Sequence, residues 1–416
     1  MLLPWFLGAY VLLRGNPKPL FGVTFLGLLA ASGVLLMEGF LRVSPGILQG
    51  EVANGAYSGY HCLAGGIYQR DEHLGNRLRP NLCRQIHWNG HWWTHRTNEA
   101  GYRGDLVQKV DAVFLGDSMI YGHGVEEFET VSSRYAEMAG KSTANLGQQA
   151  TCMVQSLARF QELGLDMRPS WVFICCHPND IGETGIWYPP EELSKFVAAD
   201  RVETFLPLVR EKFQPRSRWN PAEYWNGHLA FPLRTGGAIK SMLRGVAKHG
   251  WSVTIGQGIG RLGSASEPPG PGMVADDLGK HHVFVPSRSS LEEVLAPPEL
   301  GGDKEQSRAW QVHVRAIERI QAQCARVGAR LVLYDIGYPY SFTHAMESIA
   351  ESRGITYSPA GRVVLERALA GDAVYLANDG HWSAEGNRRV AIELKRTVDS
   401  LAQPARFTAR GVPDAR

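Results

Sequence analysis

The chain has 416 residues and a formal net charge of +2. That length allows one large domain or two smaller ones, with core enough to fold without disulfide or metal staples. Hydrophobic content of 44% and charged content of 20% are those of an ordinary globular protein. The near-neutral balance, with no basic runs, implies no polyanion partner, and no nucleic-acid partner is expected.

In chain order, the first feature is apolar. Met1–Leu13 is a short apolar run, and Pro19–Met37 is 19 residues without a charge, long enough to cross a hydrocarbon core. Arg14 and Lys18 lie between the two. With one span or with a two-helix hairpin, this basic flank stays cytoplasmic and the rest of the chain emerges on the far side. The expectation is a membrane anchor over 1–42, with its helix at about 19–41. A cleaved signal peptide is the rival, but the apolar run is long and no small-x-small site follows it cleanly before Glu38.

Residues 43–107 are rich in Gly, Trp and His and read as an irregular lead-in with short strands. His87, His91 and His95 recur at a spacing of four. On a helix that spacing would offer a metal face, but Gly90, Trp92, Trp93 and Thr94 favour strand or loop, where a polar face is the plainer reading. Trp88, Trp92 and Trp93 read as packing residues, with sugar stacking as the alternative. Cys62 and Cys83 could pair if this region is extracytoplasmic.

From residue 108 strands and helices alternate, an α/β pattern with a parallel sheet covered on both faces. Strands are expected at Asp111–Leu115, Thr143–Leu146, Ser170–Cys176 and Arg330–Asp335. Helices are expected at 130–140, 152–164, 305–327, 341–353, 359–369 and 383–401. Met153, Leu157, Phe160 and Leu163 mark the second of these by their spacing. Cys175 and Cys176 fall in a strand and read as core. Residues 190–300 break the rhythm, with a turn-rich Glu267–Gly272, and read as an insertion near the site. Residues 404–416 read as a disordered tail.

Two distant segments carry the chemistry. Gly116-Asp117-Ser118 follows the apolar run Val113–Leu115, which places Ser118 at a strand's carboxyl end where open α/β sheets hold ligands. Asp379-Gly380-His381 lies near the C-terminus. Serine is a weak nucleophile until a base takes its proton, and the base works best with its tautomer fixed. Ser118, His381 and Asp379 supply these three groups. The plainer readings are a helix cap for Ser118, a turn glycine for Gly147, an Asx turn for Asn179-Asp180 and a surface turn for Asp379–His381.

Four blocks in this order resemble the SGNH/GDSL hydrolase superfamily, in its membrane-anchored bacterial type. Gly116-Asp117-Ser118 is similar to the nucleophile block, and Asn145-Leu146-Gly147 to the block whose glycine N–H faces the oxyanion hole. His177-Pro178-Asn179-Asp180 resembles the block whose asparagine amide donates to the same hole, and Asp379-Gly380-His381 the acid–base block. Thr97–Gly104 resembles a lead-in of anchored members, and Arg103 is expected to bond a loop near the site without taking part in the chemistry. The resemblance covers about 97–185 and 305–402. Many members space acid and base as D-x-x-H, whereas here Asn378 stands three before His381, leaving Asp379 or Asn378 to orient it.

The resemblance implies a three-layer α/β/α sandwich of flavodoxin-like type over 108–403. It implies a serine nucleophile Ser118, base His381 and orienter Asp379, an oxyanion hole of Ser118, Gly147 and Asn179, and neither cofactor nor metal. The implied reaction is hydrolysis of O-acyl esters, acetyl first among them, on carbohydrate outside the cytoplasm. An O-acyltransferase acting on an envelope or exported polysaccharide is the second reading. A non-catalytic binding or assembly module of the same fold is the third.

Overall fold

The computed structural model describes residues 17–62, 66–200, 204–215, 234–249, 304–338, 340–377 and 379–402. The run Met1–Leu13, the Glu267–Gly272 turn, Asn378 and the tail after Gln403 lie outside these residues. Contacts divide the chain into two compact units, Met1–His95 with Phe213–Pro269, and Arg96–Lys212 with Gly270–Arg416. Thr97–Gly104 lies in the second of these units.

The first unit begins with helix α1 (Pro17–Val43). Its stretch Gly22–Val43 is long and apolar enough to span a membrane or to serve as a signal sequence, and among the described residues little covers it. Helix α2 (Gly50–Tyr57) is tied to the end of α1 by the Tyr57 hydroxyl, which donates to the Leu41 carbonyl at 2.9 Å. Strands β1 (Tyr68–Asp71) and β2 (Gly75–Leu78) pair antiparallel, and β3 (Cys83–Trp88) and β4 (His91–Arg96) form a second two-stranded sheet. The helix Arg234–His249 packs on α2 and α1.

Among the described residues, His87, His91 and His95 do not gather into a candidate metal cluster. His87 lies 4.8 Å from the Trp92 ring and edge-on to Tyr57, and burial, then the charge of His91, pushes it down to about 4. His95 and Trp93 are buried, whereas Trp92 stays 39% exposed. Cys62 and Cys83 are free thiols, and Cys62 donates to Asn76 Oδ1 at 3.0 Å. The pairing weighed from sequence is thus not formed.

The second unit is α/β, built on one five-stranded parallel sheet. Its strands are β5 (Ala112–Leu115), β6 (Thr143–Asn145), β7 (Trp171–Cys176), β8 (Arg330–Asp335) and β9 (Thr356–Tyr357), in the spatial order β6-β5-β7-β8-β9. Register pairs Phe114 with Asn145 on one side and with Phe173 on the other, and Phe173 with Val332. The central strands are apolar throughout because both faces are covered. One face carries Phe114, Phe173, Cys175, Val332 and Tyr334. They pack against Val131 and Tyr135 of α4 (Val131–Ala139), Val364 of α10 (Ala360–Leu369) and Val390 and Leu394 of α11 (Ala384–Ala402).

The other face lies under α5 (Met153–Arg159) and the long α8 (Lys304–Val327), with α6 (Asn179–Trp187) and α7 (Pro190–Ala198) packed on α8. Ala309, Val312, Ala316, Ile317, Ile320 and Cys324 form the buried stripe of α8 at helical spacing. Helix α9 (Tyr340–Ser352) joins β8 to β9. The four-residue α3 (Ser118–Tyr121) follows β5. Numbered within this sheet the strand order is 2-1-3-4-5, so the winding reverses between β5 and β7, and the crevice beyond their carboxyl ends is the place for a ligand.

Candidate active site

Ser118 stands at this reversal. Strand β5 ends at Leu115, and Asp117 caps α3 by accepting the Met119 N–H at 3.0 Å. Ser118 is then the first helical residue, whose N–H has no intrahelical acceptor. Gly122 closes the helix in the left-handed conformation, φ +80°, and a Cβ there would meet Thr130 Cγ2 at 2.4 Å. Both the Gly122 and His123 N–H groups donate to the Ser118 carbonyl at 3.1 Å.

The other arm comes from the loop before α11. The His381 carbonyl accepts the Leu376 N–H at 2.9 Å, the Leu376 carbonyl accepts the Asp379 N–H at 3.2 Å, and Trp382 is buried beneath. The loop directs the His381 ring at Ser118, with Nε2 2.7 Å from Ser118 Oγ. Nδ1 hydrogen-bonds Asp379 Oδ1, which also accepts the His381 backbone N–H at 2.9 Å. Burial opposes ionisation of Asp379, yet the hydrogen bond and charge of His381, with a lesser contribution from His123, hold its carboxyl well below the usual carboxylate range. The side chain of Asp379 is 4% exposed and that of His381 23%, so the acid is shielded and the base faces the crevice.

The expected oxyanion donors fare differently. Asn179 opens α6 at the carboxyl end of β7 and is exposed. Its turn is held by Asp180, whose Oδ2 accepts the His177 N–H at 3.0 Å and whose carboxyl burial pushes well up. Gly147 is a correction: its N–H, expected to face the oxyanion, donates instead to Asn145 Oδ1 at 3.0 Å. A glycine is required there for closeness. A Cβ on Gly147 would meet Tyr121 N at 2.3 Å and the Ile120 carbonyl carbon at 2.6 Å. The loop after β6 thus lies against the backbone of α3, and Asn145 Nδ2 donates to the Ile120 carbonyl at 2.8 Å.

Two buried guanidiniums complete the frame. Arg103 donates to the carbonyls of Tyr121 at 2.8 Å, Gly122 at 2.7 Å and Val125 at 3.1 Å, with its guanidinium over the Tyr121 ring. Arg159 donates to Leu146 O at 2.7 Å and Gly116 O at 3.2 Å, joining the ends of β6 and β5. Two more side chains reach the site without a sequence cue. His123 stacks on His381 with ring centroids 4.2 Å apart and planes 20° from parallel. Burial raises the Tyr338 phenol, and the charges of Asp379 and Asp117 add to the effect.

His123, Asp379 and His381 each offer a ligand atom, all within 4.8 Å of one another. The arrangement does not suit a metal. The near-parallel rings hold their in-plane lone pairs side by side instead of converging, and both His381 nitrogens already face Ser118 and Asp379.

No family model matches the chain, and no curated protein matches it. Among solved structures it is similar to a GDSL-like lipase from Bacteroides thetaiotaomicron VPI-5482. The two are 12% identical, the match covers 71% of this chain and 93% of that chain, and the TM-score is 0.32.

Proposed function

We propose that the chain is a serine ester hydrolase of the SGNH type, with a three-layer α/β/α core. It acts on O-acyl esters, acetyl first among them, of carbohydrate outside the cytoplasm. The observation that carries the reading is the continuous hydrogen-bonded row Ser118 Oγ, His381 Nε2, His381 Nδ1 and Asp379 Oδ1. The three groups come from opposite ends of the unit and meet in the order that activates a hydroxyl.

In this reading His381 takes the Ser118 proton as Oγ bonds to the acyl carbon, and ionised Asp379 stabilises the imidazolium. The tetrahedral oxyanion is met by the Ser118 N–H, left open at the start of α3, and by the Asn179 side-chain amide, each worth about 3 kcal/mol in the transition state. As the ester C–O bond breaks, His381 passes its proton to the departing alcohol. Water then adds to the acyl-enzyme, giving one proton to His381, and Ser118 recovers it as the acid leaves. The basic residues Arg14 and Lys18, ahead of the apolar stretch Gly22–Val43, support an extracytoplasmic placement of everything after Val43.

The test is active-site labelling of the full-length chain with a fluorophosphonate, alongside p-nitrophenyl acetate turnover. One adduct should form on Ser118, and Ser118→Ala should lose it and cut turnover by about 10⁴-fold or more. Ser132→Ala and Ser133→Ala should label normally, since those hydroxyls serve the start of α4 through Thr130 and Glu127. Absence of labelling in the wild type, or labelling that survives Ser118→Ala, overturns the reading. Turnover that requires an oligosaccharide acceptor, and yields acylated acceptor, converts hydrolysis into transfer.

A further inference from the structure

Two in-plane hydrogen bonds do not by themselves fix an imidazole. The contacts of His381 with Asp379 Oδ1 and Ser118 Oγ define a line through its two nitrogens, and the ring can still rock about that line. Rocking turns the Nε2 lone pair off the Ser118 hydroxyl, and proton transfer depends steeply on that alignment. A third restraint has to act on the face of the ring.

His123 supplies a face of that kind. It is 5% exposed, and its ring lies 4.2 Å from that of His381 and 20° from parallel. The segment bearing it is fixed independently of the base. Gly122 and Gly124 bend it in left-handed conformations on either side of His123, φ +80° and +79°. The Arg103 guanidinium gathers the carbonyls of Tyr121, Gly122 and Val125 around it. The back of His381 is thus set by the same frame that sets Ser118.

We propose that His123 is a positioning residue whose flat ring, carried on the Arg103-clamped turn, fixes the plane of the His381 imidazole. This rests on the reading of Ser118, His381 and Asp379 as the hydrolytic row. The face of an aromatic ring also tolerates the positive charge His381 gains during reaction. It follows that a phenyl ring should serve in place of the imidazole, and a non-planar side chain should not.

The experiment compares full-length His123→Ala and His123→Phe with wild type. In His123→Ala, kcat for p-nitrophenyl acetate should fall about 10–100-fold with KM within about threefold, and fluorophosphonate labelling of Ser118 should slow by the same factor. His123→Phe should return both to within about threefold of wild type. A second readout does not need turnover. Carbethoxylation of His381 by diethyl pyrocarbonate, followed by mass spectrometry, should quicken about fivefold or more in His123→Ala and stay at the wild-type rate in His123→Phe.

Should His123→Ala fail to fold, His123→Leu, which fills the space without a flat face, takes its place with the same expected loss. Wild-type rates in the Ala or Leu variant overturn the proposal. So does a His123→Phe variant as slow as His123→Ala, since the nitrogen atoms and not the ring face would then matter. If the wild type itself neither labels nor turns over, the hydrolytic reading has failed instead. The carbethoxylation rates then decide alone whether His123 orders His381.

Discussion

The two arms of the site are held in different ways. The nucleophile arm, Gly116–Val125, is fixed through its backbone. Arg159 takes the Gly116 carbonyl, Asp117 caps α3, Asn145 takes the Ile120 carbonyl, and Arg103 takes three carbonyls at its far end. The acid–base arm, Leu376–Ser383, is tied to α11 by Asn387, whose amide donates to the Trp382 and Ser383 carbonyls, and its catalytic side chains lean on the buried Trp382 and on the contacts of His381. A nucleophile embedded in this way moves little, whereas the base is placed by partners that can be removed one at a time. Substitutions on the acid–base arm should therefore cost chiefly rate, with stability lost where the ionised Asp379 carboxyl is removed, and those on the nucleophile frame should cost both.

The largest effect should come from the acid. Asp379→Asn keeps the shape and removes the charge that favours the reactive tautomer and the imidazolium, so kcat should fall about 10⁴-fold while the fold persists. A loss below about tenfold would remove Asp379 from the row. The pH dependence follows from the depressed Asp379 carboxyl. Its contribution to stability is present above the unfolded carboxylate value, about 4, and is lost only as pH falls through its lower folded value. The difference in thermal midpoint between wild type and Asp379→Asn should hold from about pH 8 to about pH 5 and shrink only below about pH 4.

Next in size is Asn179→Ala. The residue is exposed at the start of α6, so the thermal midpoint should change little. A side-chain oxyanion donor should nevertheless cost about 10²–10³-fold in kcat, with KM nearly unchanged. An equal rise in KM at constant kcat would assign Asn179 to substrate binding instead.

These arms were unequally legible in the sequence. Strands β5, β7 and β8 are readable because burial on both faces makes them continuous apolar runs, and Ser118 is readable as the residue just past one of them. Strand β9 is two half-buried residues and leaves no pattern. Helix α6 hides because Gly182 and Gly185 are poor helix formers, while tertiary burial of Ile181, Thr184 and Trp187 sustains it. Gly147 stood out as special, but the physical reason is its contact with the backbone of α3 and not a free N–H. His123 gives no cue at all, being one histidine between two glycines until the fold lays it on His381. Side chains that act through a distant partner have no local signature.

The smallest effect on rate should come from Arg103→Lys, and it tests the nucleophile frame most directly. A guanidinium reaches three carbonyls because its N–H groups diverge from a plane, whereas an ammonium is a compact point charge. Lysine would leave at least one buried carbonyl short of a donor, at a cost of about 1–3 kcal/mol. The turn would loosen beyond Gly122, so kcat should fall about tenfold, with a clear drop in the thermal midpoint. This inverts the pattern expected of Asn179→Ala. If Arg103→Lys instead lost rate without stability, the guanidinium would belong to the chemistry and the division between the two arms would fail.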